Sequence, residues 1–74
     1  MNEKDERETI RLRAIAYVAR EFFLNTKDIL LVTVRKNGEK GDYLVKIYTK
    51  YQPILIEVWF KEGKVVDSYI YDNF

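Results

Sequence analysis

The feature that most constrains the fold is a pattern of alternation. Between Asp28 and Asp72, four runs of residues place apolar side chains at every second position, which is the spacing of strands that bury one face. A single helical segment precedes them. The sequence therefore predicts an α+β domain in which one N-terminal helix packs on a four-stranded antiparallel meander sheet, with strand order 1-2-3-4.

The chain has 74 residues, enough for a single domain, which we place at residues 1–74. A domain of this size has little stability in reserve, and many such domains add a disulfide or a metal ion. The sequence contains no Cys and no His, which excludes a disulfide and disfavours a transition-metal site. We expect no metal and no cofactor, and stability from well-formed elements or from self-association.

The charge balance disfavours several classes of partner. A net charge of +1, from 13 basic and 12 acidic residues, is not that of a nucleic-acid-binding protein. No apolar run approaches the roughly 20 residues of a membrane span, and the acidic start is unlike a targeting peptide. We expect a soluble, cytoplasmic protein with no nucleic-acid, membrane or small-molecule partner.

The first segment predicts a helix from Asn2 to Leu24, closed by Asn25 as a left-handed C-terminal cap. Residues at helical spacing define its buried stripe: Ile10, Ala14, Tyr17 and Val18. Further apolar residues widen this stripe: Leu12, Ile15, Ala19, Phe22 and Phe23.

Turn residues predict where the strands end and how they pair. Strands are expected at Asp28–Lys36, Gly41–Tyr51, Ile54–Phe60 and Val65–Tyr71. Asn37-Gly38 favours a two-residue hairpin, and Pro53 places a turn at Tyr51–Pro53. These turns pair Val34 with Gly41, Val32 with Tyr43, Leu30 with Val45, Val45 with Val58, Ile47 with Ile56 and Thr49 with Ile54.

Two turns compete at the last hairpin. A two-residue turn requires positive φ at Glu62, which is unfavourable for a residue with a Cβ, and would put Asp67 in the core. A three-residue loop, Lys61–Gly63, requires positive φ only at Gly63, and we predict it. It pairs Val58 with Val66, Ile56 with Ser68 and Ile54 with Ile70.

These registers assign each strand residue to a face. The inner face, covered by the helix, is predicted to hold Leu30, Val32, Val34, Tyr43, Val45, Ile47, Ile54, Ile56, Val58, Phe60, Val66 and Ile70. The outer face alternates apolar and charged rows. Its apolar residues are our interface candidates: Leu31, Leu44, Tyr48, Leu55, Trp59, Val65, Tyr69 and Tyr71. The alternative is that they serve only strand propensity and cross-strand pairing.

A charged row on the outer face has two interpretations. Glu57 and Asp67 are expected to be cross-strand neighbours, and paired carboxylates can perform acid–base chemistry. Lys46 beside Glu57 instead favours a solvated row of mixed charge. Ser68 has no partner base, because the chain lacks His. We predict no catalytic residue and no enzyme activity.

The order of one helix and then a meander resembles the cystatin-like architecture, in which an antiparallel sheet wraps a helix. The hairpins Tyr51-Gln52-Pro53 and Lys61-Glu62-Gly63 do not match the protease-binding hairpins of cystatins, so the resemblance implies the fold and not protease inhibition. Gly63-Lys64-Val65 is similar to the final turn of PepSY-type domains and implies no residue role.

The chain also resembles computationally designed α+β proteins, in its regular alternation, short loops, Asn-Gly hairpin and absence of Cys and His. The apolar outer face and the aromatic helix end favour a natural protein instead, and both origins stay open. We expect a non-catalytic structural domain, either a designed scaffold or a protein that forms a homodimer through its outer face. The alternative is a module that binds a protein or peptide around Trp59 or along the fourth-strand edge.

Overall fold

The computed structural model of the protein describes residues 3–36, 41–51 and 54–71. These residues form one helix, α1 (Glu3–Glu21), a 3-10 turn (Thr26–Asp28) and four strands, β1 (Ile29–Lys36), β2 (Tyr43–Thr49), β3 (Leu55–Lys61) and β4 (Lys64–Tyr71). The strands form one antiparallel sheet in the order β1-β2-β3-β4. The predicted α+β architecture is confirmed.

The core lies between α1 and the inner face of the sheet. Ile10, Ala14 and Val18, spaced four residues apart along the helix, are buried. The sheet contributes six buried residues to the same cluster: Tyr43, Val45, Ile47, Ile56, Val58 and Phe60. Val58 faces the helix and Trp59 does not belong to this cluster, so the predicted assignment of inner and outer faces holds at the centre of the sheet.

Polar contacts fix the position of α1 along the sheet. The Tyr43 hydroxyl donates to the Glu6 carboxylate, Arg13 Nη1 donates to the Gly63 carbonyl at 2.7 Å, and the Tyr17 and Ser68 hydroxyls lie 3.0 Å apart. These contacts reach β2, the turn between β3 and β4, and β4 itself. The helix therefore crosses the sheet and is held at several points.

The helix ends three residues earlier than predicted, at Glu21. Phe23, and not Asn25, adopts the left-handed conformation, with φ 55°. Asn25 is extended, and its side chain accepts a hydrogen bond from Lys27 N at 3.1 Å, which caps the following 3-10 turn. The proposed start at Asn2 lies outside the described residues. Phe23 is 93% exposed and Leu12 is also exposed, so neither belongs to the buried stripe.

The first hairpin is longer than the Asn-Gly signal predicts. Lys36 pairs with Tyr43, and Val34 pairs with Val45 instead of with Gly41. The predicted turn at Asn37-Gly38 lies outside the described residues. Asp42 N donates to the Phe60 carbonyl at 2.7 Å, so this residue contacts β3. The register moves by an even number of positions, which leaves most side chains on their predicted faces.

A bulge at Leu30 changes the first residues of β1. Ile29 pairs with Thr49 and Leu31 with Tyr48, so Leu30 is an extra residue in the edge strand. Ile29 packs against the core, whereas Leu30 is exposed. The prediction that Leu30 belongs to the core is therefore wrong.

The pairing of β2 with β3 is as predicted. Val45 lies opposite Val58 and Ile47 opposite Ile56. Thr49 N donates to the Ile54 carbonyl at 3.3 Å, which continues the ladder toward the turn. Gln52 and Pro53 of the predicted turn lie outside the described residues.

The last hairpin combines features of both registers that the sequence allows. Lys61 pairs with Lys64, and Glu62 and Gly63 both have positive φ, 53° and 79°, as a two-residue type I′ turn requires. The predicted three-residue loop is therefore wrong. A bulge follows: Phe60 pairs with Val65 and Trp59 with Asp67, so Val66 is the extra residue.

The bulge at Val66 keeps Asp67 out of the core. Beyond it, Val58 pairs with Ser68 and Ile56 with Ile70, so both β4 residues keep their predicted inner face although their partners differ. Val65 packs against the core, and Val66 is exposed. The prediction placed Val66 on the inner face and Val65 on the outer face, and it is wrong for both residues. The bulge reverses the alternation only next to the turn.

The positive φ at Glu62 generates a prediction about stability. Replacing Glu62 by Asn, which tolerates this conformation, should raise the free energy of unfolding by about 1 kcal/mol. Urea denaturation followed by circular dichroism measures it. The control is Lys61→Asn in the neighbouring strand position, which should not stabilise. An equal or lower stability for Glu62→Asn would contradict the observed turn.

Candidate functional site on the outer sheet face

The outer face of the sheet consists of three rows of side chains that cross all four strands. The registers place Arg35, Leu44, Trp59 and Asp67 in one row, which we call the Trp59 row; Thr33, Lys46, Glu57 and Tyr69 in the Lys46 row; and Leu31, Tyr48, Leu55 and Tyr71 in the apolar row. No described helix or strand packs on this face. It is the surface on which the sequence predicts an interface.

Seven of the eight predicted interface residues lie on this face. The apolar row unites Leu31, Tyr48, Leu55 and Tyr71 in a continuous line across the sheet. The ring of Tyr69 lies 4.7 Å from that of Tyr71, which extends the apolar row along β4. Val65 is the exception, because it pairs with Phe60 and packs in the core.

Trp59 and Leu44 are buried in the single chain. They retain only 9% and 7% of their accessible surface, so docking of a partner would remove little more of it from water. We call these two packed side chains the packed floor of the face, and a partner that binds around Trp59 stays a prediction. The exposed apolar residues of this face are Leu31, Tyr69 and Tyr71, on the two edge strands.

The charged residues of the Lys46 row form a pair. Lys46 Nζ lies 3.8 Å from Glu57 Oε2, and Glu57 is buried with 8% of its surface exposed. Glu57 lies opposite Tyr69, and Asp67 lies in the next row opposite Trp59. The prediction that Glu57 and Asp67 are direct cross-strand neighbours is wrong. Glu57 therefore forms a structural ion pair with an ammonium group and is not one half of a carboxylate dyad.

Exposed apolar side chains concentrate at one end of the molecule, where β1 begins and β2 and β4 end. In the described part of the chain, this end carries Phe23, Leu30, Leu31, Tyr51, Tyr69, Ile70 and Tyr71, whereas Leu12 and Val66 lie elsewhere. Single exposed apolar residues are ordinary on protein surfaces, whereas large contiguous apolar patches are typical of interaction surfaces.

A buried carboxylate, which sequence reasoning missed, lies at the same end. Asp28 is 5% exposed, and its side chain accepts a hydrogen bond from the Tyr51 hydroxyl at 2.7 Å and contacts Lys50 Nζ at 3.0 Å. The backbone joins the same residues, since Lys50 N donates to the Asp28 carbonyl at 3.0 Å. The cluster ties the 3-10 turn to the end of β2.

These contacts shift the pKa of each member. The hydroxyl of Tyr51, then the ammonium of Lys50, hold the pKa of Asp28 below its ordinary value. The hydrogen bond that each donates to Asp28 raises the pKa of Lys50 and also that of Tyr51. All three shifts favour the ionised carboxylate beside an ammonium and a neutral phenol, which is a stabilising arrangement and not a poised acid or base.

A small cleft separates α1 from β1. It encloses about 180 Å³, less than the roughly 300–1,000 Å³ typical of pockets for small ligands. Its lining combines apolar residues with two polar ones: Arg11, Ile15, Thr26, Ile29, Leu30, Leu31 and Val32. Arg11 is already paired with Glu8 at 3.2 Å, so the cleft does not present an unpaired cation to a ligand.

The described residues contain neither a metal-binding cluster nor a membrane-spanning helix. Across residues 3–36, 41–51 and 54–71, no group of three or more carboxylate, His or Cys side chains is arranged to hold a metal ion. The helix in the described part of the chain is not apolar enough over a sufficient length to cross a membrane.

Comparison of the chain with protein-family models, with curated protein sequences and with solved structures gives no match.

The burial of Trp59 generates a prediction. Replacing it by Lys should lower the free energy of unfolding by about 3 kcal/mol or more, because the change removes a packed ring and buries a charge. Trp59→Phe, which keeps an aromatic ring, should lower it by about 1 kcal/mol. Chemical denaturation followed by circular dichroism distinguishes them. Wild-type stability of Trp59→Lys would mean that this ring is not part of a packed floor.

The Asp28 cluster generates a prediction about pH. Because the folded-state pKa of Asp28 is lowered, its contribution to stability is present above the ordinary carboxyl pKa of about 4 and is lost as pH falls through the folded-state value. Asp28→Asn should therefore be less stable than wild type at pH 6, and this difference should shrink by pH 2. Urea denaturation at both pH values measures it. Glu62→Gln, at an exposed carboxylate, is the control and should show a smaller change.

Proposed function

We propose that this protein is a non-catalytic association domain that packs the outer face of its sheet against another protein surface, in the first place that of a second copy. The observation that carries the proposal is the apolar row, which crosses all four strands with exposed side chains at both edges. Sheet faces of this composition pack on a second sheet in many two-layer proteins.

The state of the face in one chain supports this proposal. Its floor is already packed, because Leu44 and Trp59 are buried before any partner arrives. Lys46 and Glu57 neutralise one another at 3.8 Å, so a partner would meet a compensated charge pair at the centre of the face. Because these side chains are already packed or paired in the single chain, they lose less conformational entropy when a partner binds.

The alternative is that a peptide adds to the edge of β4. The bulge at Val66 weighs against it, because a bulge interrupts the regular row of backbone donors and acceptors that strand addition requires. A designed scaffold without a partner is the other interpretation of the same fold; it predicts a monomer at every concentration.

Two leucines offer a matched test of the proposal. Leu31 lies in the apolar row and Leu12 on the helix, and they are similarly exposed, at 54% and 55%. Leu31→Lys should weaken self-association at least tenfold, because it places a charge in an apolar contact. Leu12→Lys should leave self-association unchanged. Sedimentation equilibrium over a wide concentration range measures both, with circular dichroism to verify folding.

Three results would contradict the proposal. These are a wild-type chain that stays monomeric at the highest concentration, equal effects of the two leucine substitutions, and no effect of Leu31→Lys. A wild-type monomer would favour the unpartnered scaffold.

A further inference from the structure

We infer that two copies of this chain pack face to face about a two-fold axis that runs along the strands, so that Arg35 of each copy pairs with Asp67 of the other. This inference rests on the proposed function and goes beyond it by specifying the geometry of the contact. The registers determine where the charges lie on the outer face, and these positions distinguish the possible axes.

An axis parallel to the strands exchanges β1 with β4 and β2 with β3, while each row meets the same row of the other copy. In the Trp59 row, Arg35 then meets Asp67, and Leu44 meets Trp59. In the Lys46 row, Lys46 meets Glu57. Every charged residue of the three rows is therefore opposite a residue of the other sign.

The same axis places apolar residues of one copy opposite apolar residues of the other. Leu31 meets Tyr71 of the other copy, and Tyr48 meets Leu55. Each pair occurs twice, as an isologous interface requires. The exposed Leu31 on β1 thus covers the exposed Tyr71 on β4, and Thr33 faces the exposed Tyr69.

The other simple axis, perpendicular to the strands, gives an unfavourable arrangement. It keeps each strand opposite itself and exchanges the Trp59 row with the apolar row. Lys46 would then face Lys46, and Glu57 would face Glu57. Arg35 would face Leu31 and Asp67 would face Tyr71. Like charges close together and charges on apolar groups are both disfavoured in a buried contact.

The dimensions of the sheet are compatible with this contact. Four strands about 4.8 Å apart place the edge strands roughly 7 Å from the axis. Face-to-face sheets cross at about 30°, which shifts the edges by roughly 4 Å, and the long side chain of Arg35 spans this offset. A face of about 20 Å by 24 Å on each copy buries roughly 960 Å² in total, which is less than the roughly 1,200–2,000 Å² of stable interfaces, so we expect a weak dimer.

Charge reversal tests the axis. Arg35→Asp leaves two carboxylates facing one another at each edge, and Asp67→Arg leaves two guanidinium groups, so each single variant should self-associate about tenfold more weakly than wild type. In an equimolar mixture, the carboxylate introduced at position 35 of one variant meets the guanidinium introduced at position 67 of the other. At the second edge, the unchanged Asp67 and Arg35 meet. The mixture should therefore form a heterodimer with near wild-type affinity.

Two further variants act as controls. The double exchange R35D/D67R restores opposite charges within one chain and should self-associate within about threefold of wild type. R35D/D67N removes the like-charge contact. In the wild-type chain, Ser68 N donates to Asp67 Oδ1 at 2.8 Å, and the amide oxygen of the D67N side chain can accept the same hydrogen bond. It should associate more strongly than R35D, even if D67R folds poorly. High salt should reduce the differences among variants.

The outcomes separate this inference from the proposed function. Recovery in the mixture and in the double exchange supports the axis along the strands. Self-association that is sensitive to Leu31→Lys, but with no recovery in the mixture or in the double variants, would overturn the axis and retain the association surface. Absence of self-association in the wild-type chain, at every concentration and at low salt, would overturn both.

Discussion

Burial of the inner sheet face beneath α1 is the main source of stability in this domain. Each Val, Ile or Phe side chain taken fully out of water contributes about 1.5–3 kcal/mol, whereas an exposed ion pair contributes less than about 1 kcal/mol. Val45, Ile47, Val58 and Phe60 are all essentially inaccessible to solvent beneath the helix. The chain contains no disulfide, since it contains no Cys, so this contact and the sheet ladder must hold the fold.

Both edge strands contain a bulge, and each bulge protects the inner face. At Leu30 the extra residue turns Ile29 toward the core, and at Val66 it keeps Asp67 on the outer face. Without the second bulge, the two-residue turn at Glu62 would bury the carboxylate of Asp67. Burying that charge costs far more free energy than leaving Val66 unpaired in the sheet. The bulges also interrupt the two open edges of the sheet, which discourages unspecific strand addition.

The outer face combines a packed floor with exposed apolar edges. Glu57 is buried beside Lys46, so this charge pair belongs to the structure of the face. The proposed dimer would use the exposed side chains on β1 and β4, and its charges would select the axis instead of supplying most of the affinity. At the same end of the sheet, the Asp28 cluster anchors the 3-10 turn to β2, which positions the start of β1 and with it Leu31.

The order of elements, the α+β class, the register of β2 with β3 and the face of most strand residues follow from the sequence alone. Side-chain alternation is a local property that burial on one face enforces. It also placed seven of the eight candidate residues on the outer face, and missed only Val65. The register of Lys36 with Tyr43, the turn at Glu62 and both bulges could not be read from local sequence. These depend on contacts between distant residues, such as Asp42 with Phe60, which outweigh local turn preferences. The burial of Trp59 and the partners of Asp28 are likewise set by neighbours on other elements, which no local pattern specifies.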